Sequence, residues 1–161
     1  MNFRNKYMKK ILILGYGDIG MRVALMSPNN QFIGVSRSRP THQDNVEFIH
    51  LDFIEDPILN LPQENISSVV LILKPTSPDV RGYQTGFLEA SRKIINFLNH
   101  NINFEKLIVV SSTRVYGLNN GRNITESLIP MPDDDQGRII LDFENFVLSE
   151  SKVEPLILRP S

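Results

Sequence analysis

Three glycines in one short turn, Gly15, Gly17 and Gly20, have the spacing Gly-x-Gly-x-x-Gly and the clearest chemical meaning in the sequence. They follow the apolar run 11–14 and precede an amphipathic stretch, which predicts a buried strand, a tight turn and the first turn of a helix. Gly15 permits the turn, Gly17 lets the backbone approach a pyrophosphate, and Gly20 lets the helix pack closely on the strand. Amides at the start of that helix would face the anion. The predicted dinucleotide-binding loop consists of Gly15, Tyr16, Gly17, Asp18, Ile19 and Gly20.

The residues after the second predicted strand bear on the identity of the ligand. A carboxylate about twenty positions after the first glycine would bind the ribose 2′-hydroxyl of NAD. This sequence instead has Ser36, Arg37, Ser38 and Arg39. A hydroxyl and a guanidinium suit a 2′-phosphate, because arginine offers a planar and permanently charged donor group. We therefore expect NADP in preference to NAD, and the alternative is a solvated basic loop that touches no ligand.

Other interpretations of the glycine turn are an ordinary turn in an α/β domain and the nucleotide loop of a methyltransferase. The missing carboxylate also counts against the methyltransferase, whose ligand ribose usually needs one there.

Two further strand ends would face the same ligand. Asp52 follows the predicted strand 46–51, where it could bond the adenine amino group or cap the next helical turn, and the sequence does not decide between these roles. Lys74, Pro75 and Thr76 follow the fourth apolar run, where they would lie over the pyrophosphate and the nicotinamide ribose. Leu73, the last residue of that run, is also expected to contact the cofactor.

The order of the elements predicts a Rossmann-like fold, a doubly wound parallel sheet in three α/β/α layers. Strands that alternate with helical crossovers favour the strand order 3-2-1-4-5-6. A ligand would lie across the carboxyl ends of strands one and four, at the edge that also holds Arg37, Lys74 and Ser112. Gly86 falls within the long predicted helix, at a cost of about 1 kcal/mol relative to alanine, and a close contact with backbone or cofactor would explain it. The predicted strands are 11–14, 31–35, 46–51, 69–73, 107–110 and 154–158, and the predicted helices are 21–26, 79–99 and 136–148.

Composition limits the other classes of function. The net charge of -1 argues against nucleic acid and against an anionic membrane surface as partners. The absence of cysteine excludes disulfides and thiolate metal sites and is typical of a cytoplasmic protein. The three histidines lack metal-ligand spacing, so no metal site is expected. The apolar run 11–14 is too short for a signal peptide or a membrane span. We expect a loose N-terminal extension at 1–8 and one nucleotide-binding domain at 9–161.

Two motifs in the second half of the chain resemble a known family. Residues 111–117 read Ser-Ser-Thr-Arg-Val-Tyr-Gly after the fifth predicted strand, and residues 158–160 read Leu-Arg-Pro after the sixth. This pattern is similar to the extended or atypical short-chain dehydrogenases/reductases, the NAD-dependent epimerase/dehydratase group. The resemblance runs from about residue 10 to the end, although Leu14 stands where the group's usual first glycine would be. Ser111 is expected to contact the cofactor.

The resemblance implies a catalytic role for Ser112, four residues before Tyr116, as the group that hydrogen-bonds the substrate oxygen. The family's general acid/base is the tyrosine of a Tyr-x-x-x-Lys motif, whose lysine lowers the tyrosine pKa and bonds the nicotinamide ribose. The aligned positions here are Gln136 and Ile140, neither of which can transfer a proton. Because general acid–base catalysis is worth about 10²- to 10⁴-fold, we expect catalysis to be degenerate or absent.

Two alternatives to this hypothesis remain. The chain could be an active NAD(P)-dependent oxidoreductase or nucleotide-sugar epimerase that uses Ser112 with a non-standard acid or base, for which Tyr116 is one candidate. It could also be an interaction protein that senses NADP.

Members of the family place a substrate-binding region after the Leu-Arg-Pro motif. The sequence stops at Ser161, so we expect that region to be missing, as in a truncated gene product, an excised fragment or a stand-alone nucleotide-binding domain. Apolar surface beside strand six should then be exposed, and the chain should dimerise there or be poorly soluble. The expected partners are a dinucleotide, an unidentified small molecule such as a nucleotide sugar, and a second copy of the chain.

Overall fold

One parallel sheet of six strands, in the order β3-β2-β1-β4-β5-β6, organises the fold. The structure is a computed structural model that describes residues 9–38, 40–58, 61–117 and 124–160, so the predicted extension at 1–8 and Arg39 lie outside the described residues. The predicted fold class and strand order are confirmed. The strands are Lys10–Leu14 (β1), Phe32–Ser36 (β2), Val46–His50 (β3), Ile66–Ile72 (β4), Lys106–Val110 (β5) and Pro155–Leu158 (β6).

The helices lie close to their predicted positions, and two elements differ in detail from the prediction. The strand β4 begins at Ile66, earlier than predicted, because Ile66 pairs with Lys10 of β1. The long predicted helix is one continuous rod with a π-helical middle segment. No helix in the described ranges is long and apolar enough to cross a membrane. The helices are Asp18–Met26 (α1), Val80–Tyr83 (α2), the π-helical Gln84–Glu89, Ala90–Asn101 (α3), the 3-10 helix Thr113–Tyr116 and Asp135–Glu150 (α4).

Alternation along the strands builds two hydrophobic layers, one on each face of the sheet. On β4, Val69 and Leu71 belong to the larger cluster, which also contains buried residues of α3 and α4. Val70 belongs to the smaller cluster under α1, and Ile72 packs against that cluster. Both faces of the central strands are thus apolar, as in parallel sheets with helices on both sides.

The face of the sheet that carries α1 has apolar side chains in rows beyond the reach of that helix. Leu156 and Leu158 on β6 are 58% and 44% exposed. The prediction of exposed apolar surface beside strand six is therefore confirmed. We call this area, where Ile108 and Val110 of β5 lie in register with Leu156 and Leu158 of β6, the open face.

Candidate cofactor-binding site

A cavity of about 560 Å³ lies at the carboxyl ends of β1 to β4. Most of the predicted cofactor residues line it, whereas Gly20, Pro75 and Ser111 do not. The predicted residues in the wall are Gly15, Tyr16, Gly17, Asp18, Ile19, Ser36, Arg37, Ser38, Asp52, Leu73 and Lys74. The wall also holds Thr76 and Gly86, which the sequence analysis singled out. Further wall residues that it did not identify are Pro40, Leu51, Phe53, Ile54, Ile72 and Ala90.

The first two glycines of the loop have different surroundings. Gly15 has φ +95°, and a Cβ there would lie 1.8 Å from the carbonyl oxygen of Ile72. The amides of Gly15 and Tyr16 both donate to the carbonyl of Val35 at 2.9 Å, which fixes the loop against β2. Gly17 precedes the first residue of α1, and a Cβ there would meet no protein atom within 4 Å. The protein therefore needs Gly15 for its own packing and leaves open space beside Gly17 for a ligand.

The Tyr16 side chain lies under the loop as part of the core. Its hydroxyl donates to Oε1 of Gln43 at 3.0 Å, and burial raises the pKa of Tyr16. A Cβ on Gly34 would come within 2.5 Å of the ring, and one on Gly20 within 2.9 Å. The third glycine of the motif thus makes room for this ring, as does a glycine of β2 that the motif does not include.

At the end of β2, the basic segment is held in place by Ser36. Its hydroxyl lies 3.1 Å from the carbonyl oxygen of Tyr16 and 2.9 Å from that of Ser38, so its single proton is shared between these two acceptors. Arg37 is 48% exposed, and its Nη1 lies 3.6 Å from Oδ2 of Asp52. That separation is an ion pair without a good hydrogen bond, because donor–acceptor distances of good bonds are about 2.7–3.2 Å. Arg37 therefore keeps guanidinium donors that a ligand can use.

Asp52 contributes to a turn and to the cavity wall at once. Its Oδ1 accepts from the amide of Ile54 at 2.8 Å, and its own amide donates to Asp56 at 2.7 Å. The capping role that the sequence allowed is therefore present, while the second carboxylate oxygen forms the ion pair with Arg37.

The π-helical segment brings a helix backbone against the end of β4. A Cβ on Gly86 would lie 2.2 Å from the carbonyl oxygen of Lys74 and 2.8 Å from Cα of Pro75. This contact with backbone accounts for a glycine inside the helix. Because Gly86 and Ala90 are small, this helix can form one side of the cavity without filling it.

The motifs after β5 and β6 form a buried network of Ser111, Tyr116, Glu144 and Arg159. Glu144 is 1% exposed; it accepts from the Ser111 hydroxyl and, at 2.9 and 2.7 Å, from Arg159. Arg159 also donates to the Tyr116 hydroxyl at 2.7 Å. The hydrogen bond and charge of Glu144 raise the pKa of Arg159 despite its partial burial. Tyr116, the candidate acid or base, is thus buried and bonded to a cation, and Ser111 is bonded to a carboxylate rather than placed in the cavity wall.

The positions implied for catalysis, Ser112, Gln136 and Ile140, do not line the cavity. The Ser112 hydroxyl caps the short 3-10 helix by accepting from the amide of Arg114 at 3.2 Å. Nε2 of Gln136 lies 3.5 Å from the carbonyl oxygen of Pro78. Ile140 is 3% exposed and belongs to the larger hydrophobic cluster.

A second polar cluster at this edge was not predicted from the sequence. Arg114 donates to both carboxylate oxygens of Asp134, at 2.8 to 3.1 Å, and to the Tyr83 hydroxyl at 3.2 Å. Asp134 caps α4 by accepting from the amide of Gly137 at 2.6 Å. The hydrogen bond from Arg114, followed by that from Gly137, lowers the pKa of Asp134. The available signal was an acidic run directly before an amphipathic helix, which is typical of an N-cap.

Within the described ranges, no three His, Asp or Glu side chains are grouped so that they could hold a metal ion. The chain matches no protein-family model and no curated protein. Solved structures do match.

One match is UDP-glucuronic acid 4-epimerase from Bacillus cereus, in complex with UDP-glucuronic acid and NAD. It has a TM-score of 0.75 at 22% identity, over 93% of this chain and 55% of that chain. MoeE5, in complex with UDP-glucose and NAD, matches with a TM-score of 0.77 at 22% identity, over 93% of this chain and 53% of that one. The shared fold is Rossmann-like. UDP-N-acetylglucosamine 4-epimerase from Methanobrevibacter ruminantium M1 also matches, with a TM-score of 0.73 at 19% identity, over 94% of this chain and 54% of that one.

These likenesses show the fold, and the chain spans about half the length of each of these structures.

Proposed function

We propose that the chain binds a nicotinamide dinucleotide, prefers NADP to NAD, and has a degenerate catalytic site. The observation that carries this proposal is the cavity at the ends of β1 to β4, with open space beside Gly17 at the start of α1. Two structures with the same fold are complexes with NAD, which supports a ligand of this class.

The residues of the cavity fit a dinucleotide group by group. Backbone amides at the start of α1 suit a pyrophosphate, since they lack partners within the helix and carry its positive dipole end. Lys74 offers a second positive charge in the wall. When bound, a nicotinamide cofactor supplies hydride transfer. The chain's own part in that reaction is to bind and orient the dinucleotide.

The preference for NADP rests on Arg37. Residues 36–39 include no carboxylate to accept a ribose 2′-hydroxyl, and the loose pairing of Arg37 with Asp52 leaves guanidinium donors for a phosphate. Ser36 does not offer its hydroxyl proton to the phosphate, because that proton is used to hold the loop that carries Arg37.

Calorimetric titration with NADPH and with NADH tests the proposal, using Arg37→Gln as the variant. A charged hydrogen bond contributes about 1.5–3 kcal/mol, so we expect Arg37→Gln to weaken NADPH binding about 10- to 150-fold and NADH binding much less. The exposed Arg138→Gln is the control, since Arg138 pairs with Asp135 outside the cavity wall. Equal losses for the two cofactors would contradict the phosphate role, and absence of binding by either would contradict the proposal.

Degenerate catalysis rests on Gln136 and Ile140. We expect no consumption of NADPH by the wild-type chain in a screen of carbonyl and nucleotide-sugar substrates. Activity that appears only in Gln136→Tyr with Ile140→Lys would support degeneracy. Because Ile140 is buried, the melting temperature of the double variant has to be measured together with its activity, to show that the variant is folded.

A second candidate is an active oxidoreductase or nucleotide-sugar epimerase that uses Ser112, which the likeness to UDP-sugar 4-epimerases favours. Turnover by the wild-type chain that is lost in Ser112→Ala would establish it. An NADP-sensing role is distinguished by a partner that is captured only in the presence, or only in the absence, of NADP.

We also infer that copies of the chain associate through the open face, because exposed Leu156 and Leu158 extend an apolar surface. Sedimentation velocity should show a dimer that Leu156→Glu with Leu158→Glu converts to a monomer. A wild-type monomer across the concentration range would overturn this inference.

A further inference from the structure

Across the described ranges, the cavity wall comes from the ends of four of the six strands. Its described lining comes from the loops after β1, β2, β3 and β4 and from Gly86 and Ala90 on the neighbouring helix. Among the described residues, none that follows β5 or β6 contributes to it. In the part of the chain that the structure describes, the cavity wall therefore ends at β4, although a dinucleotide is long enough to extend past it along the strand ends.

The polar groups at the ends of β5 and β6 are bonded to one another. Ser111 and Arg159 are held by the buried Glu144, and the Ser112 hydroxyl caps the 3-10 helix. Arg114 is bonded to Asp134. Ser111, Arg159 and Arg114 therefore already have partners within the chain.

At the position that aligns with the ribose-binding lysine of the Tyr-x-x-x-Lys motif, this chain has an apolar residue. Ile140 lies within the larger hydrophobic cluster and is 3% exposed, so its side chain contributes to packing of α4 on the sheet. It can offer no hydrogen bond to a second ribose.

The cavity at the ends of β1 to β4, by contrast, has the hydrogen-bond donors and the apolar surface that a phosphorylated adenosine diphosphate needs. Phe53 and Ile54 after β3 give apolar wall for a base, whereas Arg37 and the open space beside Gly17 suit phosphates.

We propose that the chain recognises the 2′-phosphorylated adenosine diphosphate half of its ligand, and that the nicotinamide half adds little to affinity. This inference rests on the proposed binding of NADP. The ligand class then includes 2′-phosphorylated adenosine diphosphates that carry no nicotinamide.

Calorimetric titrations of the full chain with NADP⁺, 2′-phospho-ADP-ribose and nicotinamide mononucleotide test the inference. We expect 2′-phospho-ADP-ribose to bind within about tenfold of NADP⁺, and nicotinamide mononucleotide to give no binding heat. If NADP⁺ binds and 2′-phospho-ADP-ribose is more than about tenfold weaker, the inference is wrong while the proposed function stands. If neither of them binds, the proposed function itself is wrong.

The fluorescence of bound NADPH gives an independent readout. A dihydronicotinamide ring left in water should keep the emission maximum of free NADPH and stay accessible to quenching by iodide. A blue-shifted maximum that iodide does not quench would mean that the ring is enclosed, and would overturn the inference.

Discussion

Gly17 and Gly15 lie two residues apart in one loop but differ in what a side chain would meet. At Gly17 a side chain would enter the cavity, since a Cβ there would have no protein atom within 4 Å. Its φ of -107° lies outside the left-handed region that favours glycine. We therefore expect Gly17→Val to abolish binding of NADP in calorimetry while changing the free energy of unfolding by less than about 0.5 kcal/mol. Unchanged affinity would show that the loop is not the binding site.

Gly15→Ala is the matched comparison. Its positive φ and the close carbonyl of Ile72 leave no room for a methyl group, so we expect a loss of about 1–3 kcal/mol or more in urea denaturation. If both variants destabilised the chain equally, the contrast between a ligand glycine and a packing glycine would be wrong.

Among the helices, the π-helical segment is sensitive at Gly86. A methyl group there would overlap the carbonyl of Lys74, and overpacking costs about 1–3 kcal/mol. Because the added Cβ would lie only 2.2 Å from that carbonyl oxygen, we expect a cost in the upper part of this range, above the roughly 1 kcal/mol that alanine gains over glycine in a helix. We expect Gly86→Ala to lower the melting temperature and to weaken NADP binding by displacing Lys74, whereas the exposed Gln84→Ala should do neither. A stabilised Gly86→Ala chain would contradict the tight contact.

The start of α4 should give the chain a pH-dependent contribution to stability. The pKa of Asp134 is lowered in the folded chain, so its stabilisation is present above the ordinary aspartate pKa and is lost as the pH falls through the folded value. We expect wild type to melt above Asp134→Asn at pH 7, with the difference shrinking below about pH 4. Asp142→Asn, an exposed change on the same helix, is the control. A difference that is constant with pH would contradict the role of the charge.

The sequence predicted the elements more completely than it predicted the contacts between them. Apolar runs and glycine spacing are local signals, so strand order and the position of the loop could be inferred. The overlap of Gly34 with Tyr16, and of Gly86 with Lys74, depends on distances between separate elements. Likewise, the roles of Asp52 as a cap and of Ser36 as a brace depend on which backbone groups lie nearby.

At the scale of the whole molecule, the buried network joins the ends of β5 and β6 to α4 and the 3-10 helix. Glu144 is its centre, because it accepts from both Ser111 and Arg159. The motifs identified Tyr116 and Arg159 from a resemblance, but only their juxtaposition shows that they hold this half of the sheet together.

Breaking this network should therefore destabilise the chain more than the loss of a surface ion pair does. Removing one partner of a buried pair leaves the other charge unsatisfied, so Glu144→Leu should cost about 3 kcal/mol or more in urea denaturation. Glu144→Leu with Arg159→Met should recover much of that loss, because an apolar pair leaves no buried charge behind. The exposed pair of Asp135 and Arg138 on the same helix is the control, and Asp135→Asn should cost less than about 1 kcal/mol. If Glu144→Leu cost no more than this control, the network would not hold the chain together as described. If the double variant lost as much stability as the two single variants added together, Glu144 and Arg159 would not act as a unit.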